Sequence, residues 1–157
     1  MVAVVLWFCR VGSGLDSVCM DRREGSSPIR TLTEHLGTRR PLGVGAGSLA
    51  ILSTLAPGML IRTIDANASR LAQFNGLTRD TLLTLANEAR NAGYAHTRGE
   101  VLADVGGIGV PIRNPAGHAV AALNIATTVT RLPPDRVRPL LKLLRTEVDV
   151  VERKMAS

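Results

Sequence analysis

Aromatic side chains are what this chain has least of. Trp7, Phe8, Phe74 and Tyr94 are the whole set in 157 residues, which argues against a nucleic-acid surface that stacks bases on exposed rings. Lysine is scarce as well. Lys142 and Lys154 are the only two, so the net charge of +6 rests almost entirely on arginine. The arginines are scattered rather than massed, which suits acidic ligands or nearby nucleic acid better than a DNA-binding patch of the chain's own. Cysteine is limited to Cys9 and Cys19. With no convincing export signal, both read as free buried thiols in a reducing cytoplasm. The apolar start, Met1 to Phe8, is too short to span a bilayer and lacks the basic flank of a signal peptide. It reads as a first strand, with no membrane partner.

What remains is an ordinary globular composition, 45% hydrophobic and 20% charged, at a length that suits one domain. The organising stretch is Gly99 to Ala126, read as two strands joined by a turn. Ile108, Val110 and Ile112 alternate with Gly107, Gly109, Pro111 and Arg113, so one face is aliphatic and the other nearly bare. Asn114-Pro115-Ala116-Gly117 carries turn residues. On the return strand Ala121, Leu123 and Ile125 share one face; Val120, Ala122, Asn124 and Ala126 share the other. Glycine within a strand marks the close approach of something else. A packed helix and a small ligand bonded to Asn124 both account for the bare face, and both stay open.

The remaining elements follow in order. Val2–Val11 and Leu15–Asp21 suggest a hairpin around Gly12-Ser13-Gly14, and Ile29–Leu32 a third short strand. Thr38–Pro41 reads as a connection with solvated arginines. Leu49–Leu55 suits a buried helix, preceded by Leu42-Gly43-Val44-Gly45-Ala46-Gly47-Ser48, whose amides could cradle a carboxylate. The spacing is not the dinucleotide fingerprint. Pro57–Phe74 looks helical. A second helix is punctuated by Thr78 and Gly93, with Leu82, Leu85, Ala86 and Ala89 as its apolar stripe. Tyr94–Val101 returns toward the sheet, and Pro134–Met155 has helical spacing, with Pro139 expected in its first turn or kinking it. Strands, helices, strands, then a helix make an α+β class with a mainly antiparallel sheet.

Two other functions compete. Residues 77–100 can be read as a recognition helix and wing, but Arg79, Asp80, Asn87, Glu88, Arg90 and Asn91 are mixed in sign where a major-groove helix shows a basic face. A cysteine-dependent enzyme would need Cys9 or Cys19 beside His35, His96 or His118, yet no cysteine sits in a motif with a base. No histidine pair has metal-ligand spacing, so no metal or cofactor is expected. His96 lies near the bare face but reads as a surface residue. Glu100 would repel an anionic ligand and reads as a structural acceptor for loop backbone; Arg98 and Arg113 read as solvated.

Several stretches together resemble the C-terminal effector-binding domain of the isocitrate lyase regulator (IclR) family of bacterial transcription factors. They are S-P-I-R at Ser27, R-R-P-L-G-V-G-A-G-S-L-A-I-L from Arg39, G-Y-A-H-T-R-G-E-V from Gly93, G-G-I-G-V-P-I-R-N, and A-A-L-N-I-A. The likeness runs from about Val4 to Arg153. Two positions depart from the family's signature, Gly107 for Cys, Ser or Ala and Arg113 for an aromatic residue or His. The resemblance implies a single GAF-like effector domain over 1–157, with the winged helix-turn-helix and linker helix absent, either because the chain is a domain excerpt or because its start codon is placed late. It implies homodimers or homotetramers, and contact with DNA only through the absent domain. It places a ligand on the backbone of Gly45 and Ala46 and beside Thr97, Gly107, Asn124 and Ala126. Because several of those are smaller or less polar than in relatives that bind keto acids, a roomier pocket for a larger, partly apolar and even aromatic acid is expected. The reading is of a sensor, not an enzyme.

Overall fold

The alternation along 105–113 and 119–128 produces the two long central strands, and everything else packs on their two faces. The computed structural model describes the backbone of residues 3–7 and, in full, residues 15–23 and 35–157. Strands β1 (Ala3–Trp7), β2 (Asp16–Val18) and β3 (Arg39–Pro41) come first. Helices α1 (Ala46–Leu52), α2 (Pro57–Leu71) and α3 (Arg79–Ala92) follow, then β4 (Ala95–Arg98), β5 (Val105–Arg113), β6 (Ala119–Thr128), a 3-10 turn over Val129–Arg131, and α4 (Pro134–Ala156). The main sheet has the order β1-β6-β5-β4, antiparallel throughout, and β2 pairs with β3 in a separate two-stranded sheet. This is the α+β architecture expected from the element order.

One face of the sheet is filled by side chains. Ile108, Val110, Ile112, Ala121, Leu123 and Ile125 meet Val137, Leu141, Leu144 and Val148 of α4. Those four recur at helical spacing, so one stripe of α4 covers the sheet while Leu143 and the charged residues face out. Each fully buried aliphatic here contributes about 2 kcal/mol by leaving water. Pro139 sits in the second turn of α4 rather than the first, so the Asp135 carbonyl there lacks its usual i+4 amide partner.

The other face is filled by backbone. Short, fully buried α1 lies across Gly107 and Gly109 of β5. A Cβ built on Gly109 would stand 2.2 Å from the Ala46 carbonyl oxygen, and one on Gly107 would stand 2.9 Å from the Ala46 Cβ. Glycine is therefore required for α1 to come this close. Behind α1, its leucines join Leu60, Ile64 and Leu71 of α2 and Leu82, Leu85, Ala86 and Ala89 of α3 in one core. The α3 boundaries match the expectation: Thr78 accepts from the Thr81 amide, and Gly93 closes the helix at φ 79°. Asn67, odd in a helix, is buried and donates to the Leu15 carbonyl at 2.8 Å, tying α2 to the start of β2.

Several expectations need correction. The N-terminal strands do not pair with each other: β1 joins β6 with Val5 opposite Asn124, and β2 joins β3. Apolar alternation makes a strand without specifying its neighbour. The connection at 38–41 is strand β3, and its Arg40 is buried rather than solvated. The buried helix begins at Ala46, inside the glycine-rich stretch, and ends at Leu52. Ile29–Leu32, the Gly12-Ser13-Gly14 turn and Cys9 lie outside the described residues.

Candidate functional site

A hollow remains where α1 begins. Gly45, its N-cap, has φ 97°, a backbone that non-glycine residues rarely adopt, and this turns the chain into the helix directly over the sheet. Thr97 of β4, Gly107 of β5, and Asn124 and Ala126 of β6 face the same space, as do Val101, Leu102 and Val105 from the β4–β5 connection. The register brings these together, pairing Thr97 with Gly107 and Gly107 with Ala126. All six residues singled out in the sequence, Gly45, Ala46, Thr97, Gly107, Asn124 and Ala126, line this one hollow.

Arg40 lines it too, and sequence reasoning passed it over. Its side chain is 7% exposed and its guanidinium stands 5.7 Å from the centre of the Phe74 ring, a cation–π distance. The signal was present in the chain, since Arg40 immediately precedes the Pro41-Leu42 step into the glycine-rich turn. A buried arginine brings a fixed positive charge to a space with no acidic residue among its described lining residues. Asn124 is 2% exposed, and its Oδ1 has no hydrogen-bond partner among the described residues. Buried amides almost always find partners, so this group calls for one. It can accept from a hydroxyl or water, or, with the amide turned, offer its NH2 to a carboxylate or carbonyl oxygen.

The hollow is about 40 Å³, which corrects the expectation of a roomy pocket. Small residues at 107 and 109 did not leave space behind; they let α1 settle closer, so volume lost from side chains was taken up by backbone.

Other candidate residues fall elsewhere. His96 points to the opposite, α4-facing side of the sheet and is half-buried there, and its burial together with Arg98 lowers its pKa from the usual 6.5. The Glu100 carboxylate accepts from the Arg98 amide, the structural role expected of it. Arg113 is exposed, donating through its side chain to the Gly117 carbonyl. Cys19 is buried, its thiol directed at the Asp21 carbonyl oxygen 3.8 Å away. No group of three or more His, Cys, Asp or Glu capable of holding a metal occurs among the described residues. Arg79 of the supposed recognition helix is tied to Asp65 and Asp80, which leaves that face neutralised.

The profile of the family described as "Bacterial transcriptional regulator IclR C-terminal" matches residues 13–153. The chain belongs to the IclR C-terminal family. Among solved structures it is similar to the Thermotoga maritima IclR, at 22% identity and a TM-score of 0.86 over 99% of this chain and 62% of that one. The Agobacterium tumefaciens repressor BlcR gives 23% and 0.81, over 98% of this chain and 60% of that one. A double mutant of the Acinetobacter PobR inducer-binding domain, solved with 3-hydroxybenzoic acid, gives 22% and 0.74, over 96% and 87% respectively. Among curated proteins no match is found. The chain thus spans about three-fifths of the length of the Thermotoga and Agobacterium regulators, and at these identities the likeness establishes the IclR effector-domain fold. The family is described as one of bacterial transcriptional regulators, and the Acinetobacter structure as an inducer-binding domain. No helix among the described residues is long and apolar enough to cross a membrane.

Proposed function

We propose that this IclR-type domain is the effector sensor of a transcription regulator and takes a small organic carboxylate in the hollow between α1 and the sheet. The observation that carries the reading is the unpartnered Oδ1 of buried Asn124 sharing a wall with the buried guanidinium of Arg40. Arg40 meets the charge of an acid; Asn124 meets its hydroxyl or carbonyl; the Gly45–Ala46 backbone approaches closely because no side chain intervenes. At about 40 Å³ the space is little larger than the roughly 30 Å³ of one water, so even an acid of two or three carbons enters with a small parting of α1 from the 101–105 segment. An aromatic acid, the expectation drawn from the small residues, enters only if the two move further apart.

Binding acts on transcription through population shift. An acid that prefers one arrangement of a homodimer or homotetramer favours that arrangement by its differential affinity, and so repositions helix-turn-helix domains on DNA. Assembly, contact with DNA through such a domain, and a cytoplasmic setting belong to this proposal.

Calorimetric titration tests it. Pyruvate should bind the wild-type chain, and Arg40→Gln or Asn124→Leu should each weaken it tenfold or more, about 1.4 kcal/mol at 25 °C. Equal binding by wild type and both variants would remove the hollow from the account.

A further inference from the structure

We propose that the groove on the α4-facing side of the sheet, between β4 and residues 129–137, is a second small-molecule site, one that takes an aromatic acid carrying a hydroxyl group. This inference stands apart from the hollow. The groove measures about 390 Å³, within the roughly 300–1,000 Å³ usual for ligand pockets and about ten times the volume on the α1 side. Its walls are apolar and largely ring-shaped or branched: Tyr94, Val129, Leu132, Pro133, Pro134 and Val137. Gly106 lines it as well, where a Cβ would stand 3.1 Å from the Thr97 carbonyl oxygen, 3.5 Å from Leu132 and 3.6 Å from Val129, so a larger residue there would take up space beside the groove.

Two polar groups converge on it. His96 Nε2 is buried and has no hydrogen-bond partner among the described residues. Burial and the nearby Arg98 charge lower the imidazole's pKa and so favour its neutral form, in which that nitrogen is a directional partner for a hydroxyl. Arg98 follows two positions later on the same strand, so the two side chains share a face about 6.6 Å apart. No ion pair holds Arg98 among the described residues; the Glu100 carboxylate is turned onto the backbone amide, and Glu88 faces Arg98 and His96 from α3 across a neighbouring cleft, so neither carboxylate lines the groove. An anion at Arg98, an apolar ring between the proline, valine and tyrosine walls, and a hydroxyl at His96 together satisfy every unmatched feature of the groove. The spacing along β4 asks for the hydroxyl and the carboxylate at opposite ends of the ring.

Thr97 and Gly106 line both the groove and the hollow, so the two sites are told apart with residues they do not share. The experiment is an amide-resolved NMR titration of the chain with 4-hydroxybenzoate, with benzoate for comparison. Saturable shifts should appear at residues 94–98 and 129–137. Arg98→Gln should weaken both probes at least tenfold, and His96→Phe should remove the preference for the hydroxylated one. Asn124→Leu should leave both affinities unchanged. Because Arg98 is exposed, its substitution leaves the fold intact and gives the decisive variant. The proposal is overturned if neither probe shifts these residues, if Arg98→Gln binds as wild type does, or if Asn124→Leu abolishes binding and thereby moves the probe to the hollow.

Discussion

The two faces of the central sheet solve the same packing problem in opposite ways. Toward α4, branched side chains from β5 and β6 interdigitate with a helical stripe of Val and Leu. Toward α1, the strands present Gly107 and Gly109, and the helix backbone itself fills the layer. A face that is empty of side chains in the sequence need not be empty in space. Close packing is enforced by whichever element can approach, and glycine decides how near that is.

Substitutions on the two faces should therefore fail differently. Gly109→Val is expected to have the largest effect, a loss exceeding about 3 kcal/mol, because its Cβ meets the Ala46 carbonyl group rather than a mobile side chain. Urea denaturation measures it, and a loss under about 1 kcal/mol would mean that α1 moves aside readily. Leu144→Ala on the α4 face should cost about 3 kcal/mol by the other mechanism, a cavity lined by Ile108, Val110 and their neighbours. A hydrophobic replacement of similar volume, such as Leu144→Met, should restore most of that loss, while no side chain at 109 restores its own. If Met does no better than Ala, jigsaw filling is the wrong description of that face.

The smallest expected effect concerns His96, the unpartnered group on the α4 side. Its pKa is lowered in the folded chain, chiefly by burial and then by Arg98. The unfolded chain consequently takes up more protons as pH falls below 6.5, and stability is lost over that window and retained above it. Thermal midpoints at pH 7.5 and pH 5.5 for wild type and His96→Gln should show a slightly larger acid loss in wild type. Identical losses would mean that His96 titrates freely.

Where local residues decide local structure, the chain was readable. Thr78, the Leu82-Leu85-Ala86-Ala89 stripe and Gly93 marked out α3, and alternation with an Asn-Pro-Ala-Gly turn marked out β5 and β6. All six ligand candidates line one hollow, four through the strand pairings Thr97–Gly107, Gly107–Ala126 and Gly109–Asn124 and two at the start of α1. What escaped notice was non-local. Val5 pairs with Asn124 and Ser17 with Arg40, choices made by the assembled sheet rather than by any neighbouring residue. Arg40 looked solvated because its burial depends on Phe74 of the distant α2–α3 connection. The size of the hollow escaped for the reason the two faces differ: side-chain volumes are written in the sequence, and helix-to-sheet distance is not.

The claim on which the sensor reading depends is that Asn124, Arg40 and the start of α1 surround one acid. Following the Asn124 side-chain amide and the Gly45 and Ala46 backbone amides by NMR as pyruvate is added tests it most directly. The account predicts that all three shift together along one saturable curve, and the Asn124 signal moving alone, or none of the three moving, would contradict it.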